Sequence, residues 1–354
     1  MSILTKYLIK KYLKYFFIIL LSLEIFFIGI DFLQNIKKLP DSANLQLLYI
    51  FYNGFFTFTI TLPLSLVFAW IVTLTIFIRN NELVSFYSLG ISKLRILTPI
   101  VFVSLFFTVT LIGLQSTPLA YSYEEKSKIL DNRYFVSEQS NIFLKYNEYF
   151  VYFKKLYPLE KKAEGVRIFK TKNNDIVQTV IGEKAYYQNN KWYVVNTTIT
   201  KKPLNIDWSE SKLDVSYEKF LYTLEGFEPK IINNVYKAKV QFSIIDAIYT
   251  ILLLDDQGLN TNKIRSILYS QLFIPLFVLP LLVLVYLFTS ASSRFFNTAT
   301  YVTASVFFTL MIWGALFLLQ KLAFGNVLFA EVAILLPLCI LFILTFYIYK
   351  IKAE

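Results

Sequence analysis

Six apolar runs, each long enough to cross a bilayer, constrain this chain more than anything else in it. A spanning helix needs roughly 20 predominantly apolar residues. The runs are Tyr12–Leu33, Phe55–Ile78, Ile96–Gln115, Ile267–Phe288, Thr300–Gln320 and Leu328–Tyr349, and the last five hold no charged residue except Glu331. Pro63, Pro99, Pro275, Pro280 and Pro337 fall inside them or at their ends. A packed bundle tolerates such kinks, because neighbouring helices satisfy the freed backbone groups. The first run is too long for a cleavable signal, and no small-residue cleavage site follows it, so it is expected to stay as a span.

Several function classes fall away next. With 56% hydrophobic and 17% charged residues the chain lies outside the usual soluble range. Its net charge of +11 does not point to nucleic acid, since much of the basic surplus flanks the apolar runs. There is no His, which removes His-based acid/base chemistry, the Ser-His-Asp triad and His metal sites. Cys339 is the single cysteine, so no intrachain disulfide forms. No Gly-rich loop ending in Gly-Lys-Ser/Thr is present, so ATP is not bound in the P-loop manner. No clustered catalytic set stands out apart from Glu24 and Asp31, and no metal-ligand set does.

Lys and Arg in short loops set the orientation. With the N-terminus inside, the cytoplasmic loops hold ten: Lys6, Lys10, Lys11, Lys14, Arg79, Lys93, Arg95, Arg294, Lys350 and Lys352. The opposite short loops hold three, Lys37, Lys38 and Lys321. Both termini are therefore expected in the cytoplasm. The segment Pro118–Asn262 then lies on the other side, and its composition shifts to Tyr, Val, Ile, Thr, Lys and Asn. Glu148–Lys154 and Val166–Lys170 read as strands, and Ala185–Val195 as a hairpin turning at Asn189-Asn190. Such spacing suggests an all-β sandwich or jelly roll. Phe242–Leu254 returns to a helix-like pattern that stops at Asp255–Gly258. The expected fold is a membrane α-helical one with an inserted all-β domain. Residues 1–117 carry spans one to three, 118–262 the β domain, and 263–354 spans four to six.

Between spans two and three lies Arg79–Arg95. Glu82 puts an acid at a helix start, and Leu83, Phe86, Tyr87 and Leu89 give an apolar face ahead of a Gly90-Ile91-Ser92 stop. A plain connector needs no apolar face. With no phosphate loop in the chain, energy has to arrive from another polypeptide, and this is the largest internal cytoplasmic segment available to receive it. Glu24 and Asp31 lie seven residues apart on one face of span one. Intramembrane acids usually face a bundle interior or wet cavity, so the functional reading is a substrate path or a helix-pairing site. The plain alternative is a hydrogen-bonded helix contact for Glu24 and the water interface for Asp31. Lys37, Lys38, Lys263, Arg265 and Lys321 could form an outer basic collar for an anionic head group, or simply snorkel. Phe27 and Phe317, among many span aromatics, would suit an acyl-lined cavity or ordinary packing.

Glu82-Leu83-Val84 through Ser88-Leu89-Gly90-Ile91-Ser92 resembles a segment of the lipopolysaccharide-export permeases of the LptF/LptG family. The Leu4–Leu8 run, Ile30–Lys38 and the Leu336-Pro337 pair look similar to that family too, with a lean to its LptG side, and the layout of six spans around a β domain matches over essentially the whole chain. The resemblance implies a permease subunit of an ABC transporter in the bacterial inner membrane, with a periplasmic jelly roll between spans three and four. It implies no catalytic site and no cofactor on this chain, with ATP and Mg²⁺ on a homodimeric cytoplasmic LptB-like ATPase. The further partners implied are a second permease (LptF-like, or LptG-like), an LptC/LptA-like periplasmic bridge and lipopolysaccharide. On this chain the coupling helix corresponds to residues 80–92, with Glu82, Leu83, Phe86, Tyr87, Leu89 and Gly90 facing the ATPase. Lys37 and Lys38 match head-group residues, and Lys321 and Arg265 join them. Spans one and five, with Glu24, Phe27, Asp31 and Phe317, form the lipid path and lateral gates. Asp31 departs from the LptG pattern, which has a Lys there.

Two other classes fit parts of the pattern: another ABC-type exporter permease, or a non-transporting sensor or scaffold with an extracytoplasmic ligand domain. A sensor needs a cytoplasmic output domain, and the chain ends at Glu354, just past the last run.

Overall fold

The computed structural model describes residues 3–131, 139–157, 160–172, 175–203, 212–227, 241–255, 261–289 and 297–353. Arg294 and the helix stop at Asp256–Gly258 lie outside the described residues. Two compact units emerge. One holds the helices, and the other runs over residues 133–241 and 253–259.

The helical unit begins with α1 (Ile3–Asn35), α2 (Ala43–Arg79), the short α3 (Glu82–Ser88), α4 (Lys93–Gln115) and α5 (Ser122–Leu130). It resumes with α6 (Ile244–Asp255) and α7 (Asn262–Phe273). A 3₁₀ turn at Ile274–Phe277 then leads into α8 (Val278–Leu287). Last come α9 (Thr298–Phe324), a π-helical turn at Glu331–Leu335 and α10 (Leu336–Ala353). Six of these helical stretches are long and apolar enough to cross a membrane, one for each expected run. Two start well before the expected runs do: α1 at Ile3 and not Tyr12, α2 at Ala43 and not Phe55. Lys6, Lys10 and Lys11, mixed among apolar residues at the start of α1, are good helix formers and continue the helix. Asp246 of α6 accepts a hydrogen bond from Tyr121, in the turn ahead of α5. Burial and that carboxylate both push the Tyr121 hydroxyl above its ordinary value.

α2 is the centre of the bundle. Its most apolar window is 72% buried, against 11% for the corresponding windows of α1 and α9. Trp70 of α2 is wholly buried. It donates its indole N–H to the Leu282 carbonyl of α8 at 3.1 Å and packs edge-on to Tyr12 of α1 at 6.2 Å. Tyr12 donates to the Leu66 carbonyl at 3.0 Å and shares a 2.8 Å hydrogen bond with Ser104 of α4. α1 and α8 thus meet α2, and α4 meets α1, through aromatic side chains whose polar ends are satisfied, as burial requires.

The inserted unit contains β1 (Gln139–Tyr146), β2 (Tyr149–Tyr157), β3 (Lys162–Lys172), β4 (Asp175–Gln188), β5 (Lys191–Lys201) and β6 (Asp214–Thr223). All pairings are antiparallel and the order is sequential, β1 to β6. Six spans with an all-β insertion between the third and fourth is the expected class. The described strands build it as one meander sheet, because each strand turns back onto the one before it. Asn189 and Asn190 sit at φ 49° and 62°, the left-handed pair that a two-residue hairpin needs. On the covered face Phe153 packs at 5.2 Å from Trp192, whose N–H reaches the Phe227 carbonyl at 2.6 Å. Gly182 of β4 shows how tight that layer is: a Cβ there would stand 2.1 Å from the Val194 Cγ1. Gly182→Ala is expected to destabilise the sheet by about 1–3 kcal/mol through overpacking. Limited proteolysis of the whole chain should then cut the insert faster, and an unchanged rate would contradict this packing.

Candidate functional site

α3 is fixed by side chains that point into the chain itself. Asn81, at φ 59°, turns the chain out of α2, and Gly90, at φ 74°, ends α3. The Ile91 N–H bonds to the Phe86 carbonyl at 3.0 Å and the Gly90 N–H to that of Tyr87 at 2.9 Å, the two bonds of a Schellman stop. Leu83 is fully buried in the helical core, and Phe86 and Tyr87 pack against it. The Tyr87 hydroxyl shares a 2.8 Å hydrogen bond with that of Tyr286 on α8, and burial pushes its pKa up. Glu82 accepts from Tyr7 of α1 at 2.6 Å and from Asn80 at 3.0 Å, with Lys11 at 4.0 Å.

The apolar face expected to meet another protein is therefore largely used inside this chain. What α3 and its C-terminal turn present outward is Ser85, Ser88, Leu89 and Gly90, with Leu89 78% exposed. Helical spacing alone cannot tell an inward apolar face from an outward one. Close by, Lys93 donates to the Lys352 carbonyl at 3.1 Å and Lys352 to that of Leu287 at 3.0 Å, joining the ends of α4, α8 and α10 at this end of the bundle.

A second constellation runs along the groove between α1 and α2. Glu24 accepts from the hydroxyls of Thr57, at 2.7 Å, and Thr61. Asp31 accepts from Tyr49 and from the Lys126 ammonium of α5, whose Nζ lies 3.0 and 3.1 Å from its two oxygens. Lys126 also donates to Asn53 Oδ1 at 2.8 Å. Its ammonium faces the rings of Phe56, Tyr123 and Tyr49 at 5.1, 5.7 and 5.8 Å. Asp31 is thus one side of an ion pair whose lysine is buried while its own carboxylate stays partly exposed. The sequence reading missed Lys126, and it missed α5 as a helix. Its Glu-Glu-Lys-Ser-Lys surroundings look like a solvated charge run. The available signal was the polar Asn53 and Thr57 in an apolar stretch, which called for a partner.

The remaining expected residues are dispersed. Arg265 of α7 pairs with Glu331 at 2.9 Å, so its charge already has a partner. Lys37 and Lys38 are exposed in a 3₁₀ turn after α1. Lys321 lies over Phe317 at 5.0 Å and Phe324 at 5.7 Å on α9. Phe27 and Phe317 are each 39% exposed, on the two least buried spans.

This arrangement has the parts of a membrane transport subunit: a buried central span, two outer spans with exposed apolar faces, a short helix keyed into one end, and a sheet domain inserted between spans. No curated protein matches the chain in sequence. A family model described as lipopolysaccharide export system permease LptF/LptG matches residues 6–351, nearly its whole length. The match does not separate the two branches, so the lean to the LptG side is not decided by it. The chain belongs to the LptF/LptG family of lipopolysaccharide export permeases.

Proposed function

We propose that this chain is a permease subunit of an ABC transporter, one that extracts lipopolysaccharide from the outer leaflet of the bacterial inner membrane and hands it to a periplasmic bridge. The observation that carries the reading is α3. It is a short helix locked to α1 through Glu82 and to α8 through Tyr87, yet it leaves Leu89 bare. A push on that surface would pass directly to two spans. The ATPase, with its ATP and Mg²⁺, is a separate LptB-like homodimer in the cytoplasm, on the side of both termini. The chain itself binds no cofactor. A second permease of the family covers the exposed faces of α1 and α9, and the lipid passes between the two. Lys37, Lys38 and Lys321 hold the head group, while Phe27 and Phe317 meet the acyl chains. Arg265 is better placed to pin α7 to Glu331. The edge strand β6, with Tyr217 80% and Tyr222 66% exposed, offers a side to an LptC/LptA-like bridge.

Pull-down of the full chain from solubilised membranes, with mass spectrometry of protein and lipid, tests this reading. Recovery of an ATPase and a glycolipid supports it. A folded chain that brings down neither overturns it. Photo-crosslinkers at Lys37 and at Phe317 are expected to capture glycolipid in the active complex. If neither does, the lipid path lies elsewhere.

A further inference from the structure

α1 is fastened to the bundle differently along its two halves. Its buried residues, Leu8, Tyr12, Phe16 and Leu20, end at Leu20. Beyond that point two carboxylates reach across to α2 and α5, seven residues and about two helical turns apart. Glu24 takes the Thr57 and Thr61 hydroxyls, and Asp31 takes Lys126 and Tyr49. Polar contacts of this kind exchange one anion for another, which apolar packing does not.

The seat that Asp31 occupies is built for an anion. Lys126 is 5% exposed and ringed by three aromatic faces. Asn53 is fully buried, accepts from Lys126, and keeps an Nδ2 with no hydrogen-bond partner among the described residues. A charge as buried as that of Lys126 is strongly unfavourable when left without its partner. If α1 moves away, Lys126 therefore needs another anion.

We propose that Asp31 is a placeholder: a phosphate of the transported glycolipid replaces it at Lys126 and Asn53, and this exchange frees the second half of α1 from α2. The inference rests on the glycolipid reading above and adds a latch to it. A ligand shifts an equilibrium only through a difference in affinity between the states. With Asp31 docked the seat is filled, and with α1 displaced it is open, so phosphate binds the displaced state alone.

Cysteines report the docked state at Ile28→Cys and Gly54→Cys, in a Cys339→Ser background. These positions are adjacent, since a Cβ at 54 stands 3.3 Å from the Ile28 Cδ1. The full chain in nanodiscs is oxidised alone, with phosphorylated lipopolysaccharide, with the dephosphorylated lipid, and with inorganic phosphate. Phosphorylated lipid is expected to lower 28–54 crosslinking severalfold, and the other two additions to leave it unchanged. Asp31→Asn and Lys126→Gln should each lower crosslinking without lipid, and Lys126→Gln should also abolish the lipid response. The reversed pair, Asp31→Lys with Lys126→Asp, should restore lipid-free crosslinking, which separates loss of the latch from loss of the fold. Crosslinking indifferent to phosphorylated lipid, an equal response to the dephosphorylated lipid or to inorganic phosphate, or no restoration by the reversed pair would overturn the latch. Failure of the wild-type chain to retain glycolipid at all counts instead against the transport reading.

Discussion

Leu89→Asp is expected to strip the proposed ATPase partner from the purified chain while the permease stays folded. Leu89 follows the last turn of α3 and is 78% exposed, so a carboxylate there disturbs nothing within the chain. Placed at the centre of an interface, it would bury a charge against the partner. A loss of about 2 kcal/mol, typical of an interface hot spot, is roughly thirtyfold in affinity. Leu83→Asp should behave in the opposite way. Leu83 is fully buried, and an unpaired carboxylate in that apolar setting belongs among the most damaging substitutions, which exceed about 4 kcal/mol. That variant should unseat α3 and lower the thermal stability of the chain itself. Co-purification ratios and melting curves in detergent separate the two results. Full ATPase retention by a folded Leu89→Asp chain would remove α3 from the coupling surface.

Trp70→Ala is expected to be the most destabilising truncation in the helical unit. The side chain touches α1 through Tyr12 and α8 through Tyr286 and the Leu282 carbonyl. Its removal leaves a cavity where three helices meet and a carbonyl without its indole donor. Large aromatic truncations cost about 3–5 kcal/mol in water-soluble cores. The lower end, about 3 kcal/mol, is expected here because lipid is as apolar as the core, leaving packing and the hydrogen bond as the terms lost. Detergent melting curves give the measurement. A loss below about 1 kcal/mol would mean that α2 is not the packing centre. Phe307→Ala, on the exposed face of α9, is the matched control with little expected change.

Much of this architecture was legible because its signals are local. Each span declares itself by length and lack of charge, so all six were found, although α1 and α2 start earlier than the runs, because lysines and polar residues mixed among apolar ones still continue a helix. Asn189-Asn190 announced its hairpin because few other residue pairs tolerate that backbone, and Gly90 announced the end of α3 for the same reason. The candidate site was less legible. Leu83, Phe86 and Tyr87 were rightly seen as one apolar face, but a face has no direction until neighbouring helices supply one. Lys126 was invisible for a related reason: its partner Asp31 is 95 residues away in sequence, and a lysine among glutamates reads as solvated.

By itself the sequence determined that this chain crosses the membrane six times, that a β domain interrupts the crossings, and that a short helix with an acid at its start links spans two and three. Those follow from hydropathy, alternation and turn chemistry, each read within a few residues. Only the tertiary structure decided which face of that helix stays exposed, that Arg265 is paired with Glu331, and that Asp31 closes on a lysine of α5. The physical reason is the same each time. A side chain's charge or apolar surface is a local property, but whether it is satisfied depends on residues that only the fold brings within a few ångströms.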